Sequence, residues 1–137
     1  MMLIPTYVGP SRIHGLGLFS LVAIKKDTLL WSFEEAFDRR YTPEEFDSLH
    51  PNIHEYFKVY GYRDLRDGFY YISIDNDRFT NHSNMPNTYF DEATNWLAAK
   101  SIKKGEELTS NYRHFDADWE SYSPIMRNIG MQEKISV

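Results

Sequence analysis

The chain has 137 residues, 42% of them apolar and 16% aromatic, with a formal charge of −5 and no cysteine. That length fits one domain with its own core, and the apolar content excludes global disorder. The acidic balance excludes a general nucleic-acid binder and suits a basic partner, while the absent thiols exclude disulfides, thiolate metal sites and a Cys nucleophile. No apolar run approaches the ~20 residues that span a bilayer. The start, MMLIPTYVGPSR, lacks the charged and apolar regions of a signal peptide, so the expectation is a cytoplasmic protein with no membrane association.

In chain order, residues 3–8 predict a short strand ended by a turn at Gly9-Pro10-Ser11. HGLGLFSLVAI follows, two glycines and an apolar run to Ile24, closed by the polar turn Lys25-Lys26-Asp27. TLLWSF, residues 28–33, predicts a strand. Thr42-Pro43-Glu44-Glu45 has an N-cap Thr, Pro at the first helical position and Glu at the third, a capping box opening a helix to about Leu49. His50-Pro51 starts a second helix with Ile53, Tyr56, Phe57 and Tyr60 on one face and Gly61 as its stop. FYYISI (69–74), TNWLAA (94–99) and residues 107–112 predict strands, the last two joined by a turn at Ile102-Lys103-Lys104-Gly105. A polar-aromatic tail ends the chain, with one short helix expected near Pro124. Short strands, many turns and two local helices make a β-rich α+β domain.

Single features are weak on their own. The glycines of His14-Gly15-Leu16-Gly17 let backbone approach a ligand, but the third glycine of a dinucleotide fingerprint is missing, so alone they read as a turn. His50 and His54 share a helix face at metal-ligand spacing; without a third ligand they read as exposed or capping residues. Asp75-Asn76-Asp77 lacks the Gly and terminal Glu of a calcium loop and reads as a turn out of a strand. Ser83 beside His82 makes no triad by adjacency, since triads assemble in space, and with no Gly-x-Ser-x-Gly elbow Ser-His hydrolysis stays open but unsupported. RFTNHSNMPN, residues 78–87, carries a His that turns rarely need and reads either as an unusually polar loop or as a site.

The order of these pieces is informative. HGLGLF at 14–19, RFTNHSNMPN at 78–87 and IKKGEELTSNY at 102–112 resemble the three motifs of SET-domain protein lysine methyltransferases, in family-like spacing from about Tyr7 to Tyr112. The resemblance implies a single SET domain over 1–137: a β-rich α+β core over about 5–113, a helical insert over about 42–61 and a closing segment over 114–137. It also implies a knot-like threading of the C-terminal segment past RFTNHSNMPN. The implied function is protein-lysine N-methyltransfer from S-adenosyl-L-methionine, with a catalytically silent cofactor- or partner-binding module as the alternative.

The same resemblance assigns residues. His14, Gly15, Leu16, Gly17, Arg78, Asn81, His82 and Tyr112 are expected at the cofactor, with Phe115 and Trp119 capping it, walling the lysine channel or only packing the tail down. Phe33, Tyr71, Phe90 and Ser110 are expected along the lysine channel. Tyr112 matches the essential tyrosine, taken here to position and stabilise rather than abstract a proton. The expected partner is a basic lysine-containing protein or peptide: a histone, a DNA-packaging protein, a ribosomal protein or the chain itself.

Several positions depart from the family pattern. Asn84 replaces a Cys that joins a zinc site in many members, so no metal is expected. Phe33 stands for a common channel Tyr, and Ser110 for a Phe or Tyr that limits methyl number. Glu44, Glu45, Asp116, Asp118 and Glu120 read either as a solvated face or as an attraction for a basic tail.

Overall fold

The fold below is that of a computed structural model, which describes residues 1–119 and 121. Among the described residues ten short strands follow one another: β1 Thr6–Pro10, β2 Leu16–Ser20, β3 Leu29–Trp31, β4 Arg39–Tyr41, β5 Gly61–Arg63, β6 Tyr70–Ile72, β7 Asn81–His82, β8 Thr88–Phe90, β9 Trp96–Ala98 and β10 Glu107–Ser110. Helices α1 (Pro43–Asp47) and α2 (Pro51–Tyr60) lie between β4 and β5. The strands form three small sheets, β1-β2-β10-β7, β3-β9-β8 and β4-β6-β5. This is the β-rich α+β architecture that the sequence predicts.

The first hairpin is longer than its turn residues suggest. β1 and β2 pair antiparallel from Thr6↔Ser20 to Pro10↔Leu16, so Gly9 and Pro10 stay in the strand. Pro10 is tolerated because β1 is an edge and Pro10 is its last residue. The reversal comes later, where the Ser11 N–H donates to the Gly15 carbonyl at 2.9 Å and Gly15 takes φ +47°.

The main core gathers Leu18, Ile24, Leu30, Trp31, Trp96, Ala98, Ile102 and Leu108. It draws on β2, β3, β9 and β10, together with Ile24 and Ile102, which exchange N–H···O bonds of 2.8 and 2.9 Å. A second, aromatic nucleus holds the helical insert. Phe46 stacks on Tyr70 at 3.7 Å and meets Phe57 edge-on at 5.0 Å. α1 opens with the expected capping box, the Thr42 hydroxyl accepting from the Glu45 N–H and the Glu45 carboxylate from the Thr42 N–H.

α2 differs from its predicted face. Phe57 is buried, whereas Ile53 and Tyr56 are 39% and 42% exposed, because the insert packs through Phe46 and Phe57, with Tyr60 meeting Phe79 edge-on at its end. Gly61 does end α2, but in extended backbone (φ −109°, ψ −179°) leading straight into β5. Its lack of a side chain matters because a Cβ would lie 2.3 Å from the Phe57 ring.

β10 is the strand that builds the site. It lies between β2, to which it is antiparallel, and β7, to which it is parallel through Thr109↔Asn81 and Ser110↔His82. Beyond it the chain makes a 3-10 turn at Tyr112–His114 and pairs back against the end of β5. There the Leu65 N–H donates to the Phe115 carbonyl and the Ala117 N–H to the Arg63 carbonyl, at 2.9 and 2.8 Å. Arg63 and Asp118 add a two-pronged ion pair of 2.5 and 2.9 Å. Glu120 and the helix expected near Pro124 lie outside the described residues. Among the described residues no helix is long and apolar enough to cross a membrane.

Candidate active site

Residues 78–87 are a crossing of chains, and their polar side chains bond the backbone that crosses. The Asn81 amide donates to the His14 and Leu16 carbonyls at 3.2 and 3.0 Å and to Glu107 Oε1 at 2.9 Å. His82 is 2% exposed, and its Nδ1 accepts the Tyr112 N–H at 3.1 Å. Its Nε2 therefore carries the hydrogen and donates to Asn84 Oδ1 at 3.2 Å. Asn87 acts as a substitute strand: its Oδ1 accepts the Thr109 N–H at 2.9 Å and its Nδ2 donates to the Glu107 carbonyl at 2.7 Å. Buried backbone must be satisfied, which accounts for the density of Asn and His.

Burial pushes the His82 imidazole down, with Arg113 and His114 adding to the effect and the Asn84 bond opposing it. A neutral ring is what the Tyr112 N–H requires. His82 also stacks on Trp119 at 4.6 Å.

Gly17 and Glu107 explain each other. A Cβ on Gly17 would lie 2.2 Å from Glu107 Oε1, and that carboxylate is held by Ser11 Oγ at 2.8 Å and by Asn81. The glycine therefore admits the clasp that joins the first hairpin to the crossing, rather than lining a cavity itself.

Two cavities meet at this crossing. One, of about 260 Å³, is bounded by His14, Gly15, Leu16, Phe79, Asn81 and His82. The other, of about 60 Å³, is bounded chiefly by aromatic rings: Tyr62, Phe90, Trp96 and Phe115, with Ser110 and Asp77 among them. Val59, Tyr60, Arg78, Thr80 and Tyr112 belong to both walls. At the junction the Tyr112 hydroxyl donates to the Thr80 carbonyl.

The SET domain family pattern matches residues 15–113. The chain belongs to the SET domain family. Structural likeness agrees at the level of fold. A Chaetomium thermophilum Polycomb Repressive Complex 2, as a humanized mutant bound to the inhibitor GSK126, superposes with a TM-score of 0.58 at 18% identity over 91% of this chain and 16% of that one. A Plasmodium falciparum protein described as a histone methyltransferase gives a TM-score of 0.53 at 23% identity, covering 81% of this chain and 95% of that one. This SET domain thus spans a small part of the first and nearly all of the second. No curated protein matches it in sequence.

Within the SET domain, His14, Gly15, Leu16, Arg78, Asn81, His82 and Tyr112 come together on the larger cavity. Phe90 and Ser110 face the smaller one. Phe115 does too, as one of the aromatic rings of its wall. Phe33 and Tyr71 stand behind that wall. Phe33 meets Tyr71 edge-on at 5.6 Å, and Tyr71 stacks on Tyr62 at 5.6 Å, so Tyr62 takes the lining position. Trp119 caps the His82 ring rather than an open surface.

Sequence reading missed Tyr62, Trp96, Thr80 and Asp77 as wall residues. The Trp96 Nε1–H donates to Thr88 Oγ1 and Ser110 Oγ at 2.7 and 2.9 Å, a buried polar anchor that a lone Trp in a strand does not announce. His50 caps α2 through Asn52 and His54 bonds the Phe46 carbonyl at 2.7 Å, in line with capping roles.

Proposed function

We propose that this SET domain is an S-adenosylmethionine-dependent protein-lysine N-methyltransferase. The observation that carries this is the meeting at Tyr112 of two cavities, one walled by the Gly15 backbone, Asn81 and His82 and the other by Tyr62, Phe90, Trp96 and Phe115. A methyl transfer between two molecules needs two sites that open on one reacting point.

The larger cavity fits the cofactor chemically. Gly15 offers bare backbone, Phe79 and Tyr60 an aromatic wall with rings 5.8 Å apart, and Arg78 a guanidinium suited to a carboxylate. When bound, S-adenosylmethionine supplies an electrophilic methyl on a cationic sulfonium. His14, Gly15, Leu16, Arg78, Asn81 and His82 would hold it, and the clasp of Asn81 with Glu107 keeps that wall in place.

The smaller cavity suits a lysine side chain. Tyr62, Phe90, Trp96 and Phe115 exclude water and disfavour the charged ammonium, which in water, at a pKa of about 10.4, leaves well under ~1% neutral amine near pH 7.5. The Tyr112 hydroxyl, fixed by the Thr80 carbonyl, sits where it orients the amine and stabilises developing charge. Ser110, held by Trp96 and Thr88, adds little bulk to the wall, so methyl number depends on how far Phe90 and Phe115 close the space. The chain's net charge of −5 favours a basic protein or peptide as substrate.

The test is transfer of labelled methyl to a panel of basic proteins and lysine peptides, beside Tyr112→Phe. Label on lysine that the substitution removes is the expected result. Cofactor binding by calorimetry without transfer to any target leaves the silent binding module, and no cofactor binding overturns the reading.

A further inference from the structure

We propose that Asp77 accepts the proton of the substrate ammonium inside the aromatic cavity, an inference that rests on the methyltransferase reading. Asp77 lies in the 3-10 turn Asn76–Phe79 just before the crossing, and it lines the cavity with Tyr62, Phe90, Phe115 and Tyr112. Its carboxylate accepts Ser73 Oγ at 2.7 Å on Oδ2 and Thr80 Oγ1 at 3.3 Å on Oδ1. A carboxylate has about four acceptor positions, so these bonds leave room for an ammonium. Among the described residues Asp77 joins none of the ion pairs.

Thr80 links this carboxylate to the reacting point. Its hydroxyl bonds Asp77, its N–H donates to the Asp77 carbonyl at 2.9 Å, and its own carbonyl takes the Tyr112 hydroxyl. Proton acceptor and positioning hydroxyl thus share one residue as their mount.

The electrostatics agree. Burial raises the Asp77 carboxyl to about 6, opposed by the Ser73 and Thr80 bonds and the Met1 amine and aided by Asp75. Tyr62, its own hydroxyl pushed well up by burial, faces the same space, as do Arg78 and Asp116. In water an amine near 10.4 and a carboxyl near 3.9 are poorly matched; burial moves both toward each other. The step balances. The carboxylate takes one proton from the ammonium, giving a neutral carboxylic acid and a neutral amine. The amine lone pair then bonds the methyl carbon as the carbon–sulfur bond breaks toward sulfur. The carboxylic acid returns its proton to solvent as product leaves.

The experiment compares the unaltered protein with Asp77→Asn from pH 6.5 to 9.5, on a lysine peptide and on the same peptide carrying the more acidic amine of S-aminoethylcysteine. The expected kcat deficit is ~100-fold at neutral pH. It should shrink as pH rises and be smaller for the acidic amine, with cofactor affinity unchanged. A deficit that is equal at every pH and for both amines overturns the inference while leaving the methyltransferase reading intact. Ser73→Ala, which keeps the carboxylate but removes a bond that lowers its pKa, should move the acid limb of the profile upward even if Asp77→Asn folds poorly. An unmoved limb counts against the proposal. If the unaltered protein methylates nothing, the enzymatic reading fails, and calorimetry with n-butylammonium decides the site separately. Binding that Asp77→Asn weakens at least tenfold retains Asp77 as the ammonium contact; equal binding, or none, overturns it.

Discussion

Asn81 and Asp77 stand four residues apart, face different cavities and hold their polar groups in opposite ways. The Asn81 amide is spent on two carbonyls and Glu107, so the wall it builds is locked by the bonds that also cross the chains. Asp77 keeps a carboxylate in a half-buried position with two hydroxyl donors and a pKa displaced against its charge. The first arrangement stabilises the fold and shapes a cavity as a by-product. The second costs stability, and a group retained at such a cost is where chemistry is to be sought.

The sharpest break of this comparison falls where the two walls join. Tyr112→Phe removes the hydroxyl bonded to Thr80 and leaves the ring, which meets Phe115 edge-on at 5.6 Å. Single-turnover methyl transfer should fall ~100- to 1,000-fold. Unfolding in urea should change by only about 1 kcal/mol, the net value of one hydrogen bond. A comparable loss in cofactor affinity would move Tyr112 from the chemistry to the binding wall.

Asn81→Ala is expected to be the largest effect on stability. Two backbone carbonyls and a carboxylate lose one shared donor, at a cost of about 2–3 kcal/mol in urea unfolding, with weaker cofactor binding alongside. Asp77→Asn should act in the opposite direction. Its folded pKa of about 6 exceeds the ordinary 3.8, so between those values the native state binds more protons than the unfolded one. Stability therefore falls as pH rises through that window, and above it the full penalty applies. Two units correspond to at most about 3 kcal/mol. Asp77→Asn should thus be more stable by about 1–3 kcal/mol at pH 7.5 and no more stable at pH 3.5, read from urea midpoints at each pH. A loss at neutral pH would mean that Asp77 is structural like Asn81.

This contrast also marks what the sequence discloses. The capping box at Thr42-Pro43-Glu44-Glu45 was legible because its bonds are local. β7 was not, being two residues long and existing only through parallel pairing with β10, far along the chain. The three motifs placed His14 to Leu16, Asn81, His82 and Tyr112 together because their order and spacing are distinctive. The wall of the smaller cavity was harder: Phe33 and Tyr71 are aromatic too, yet Tyr62 stacks in front of them, and only packing decides which ring is outermost. Asp77 reads as a turn residue beside Asp75, and Asp75 does cap the turn. Nothing in the spacing tells which of two neighbouring aspartates caps and which faces a cavity.

The smallest expected effect tests the locked wall at its outer end. Asn84 Oδ1 accepts both His82 Nε2 and an Arg113 nitrogen at 3.1 Å, which fixes the tautomer that lets His82 Nδ1 take the Tyr112 N–H. Asn84→Ala should cost about 0.5–1.5 kcal/mol at pH 7.5. Because the His82 pKa lies below its ordinary value, the native state binds fewer protons than the unfolded state around pH 6.5, and stability falls as pH falls through that point. The Asn84 bond opposes this depression, so Asn84→Ala should steepen the acid loss between pH 7 and 5, while Asn84→Asp, placing a carboxylate beside Nε2, should flatten it. Equal slopes in all three proteins would mean that His82 is held neutral by burial alone, with Asn84 serving only to tether Arg113.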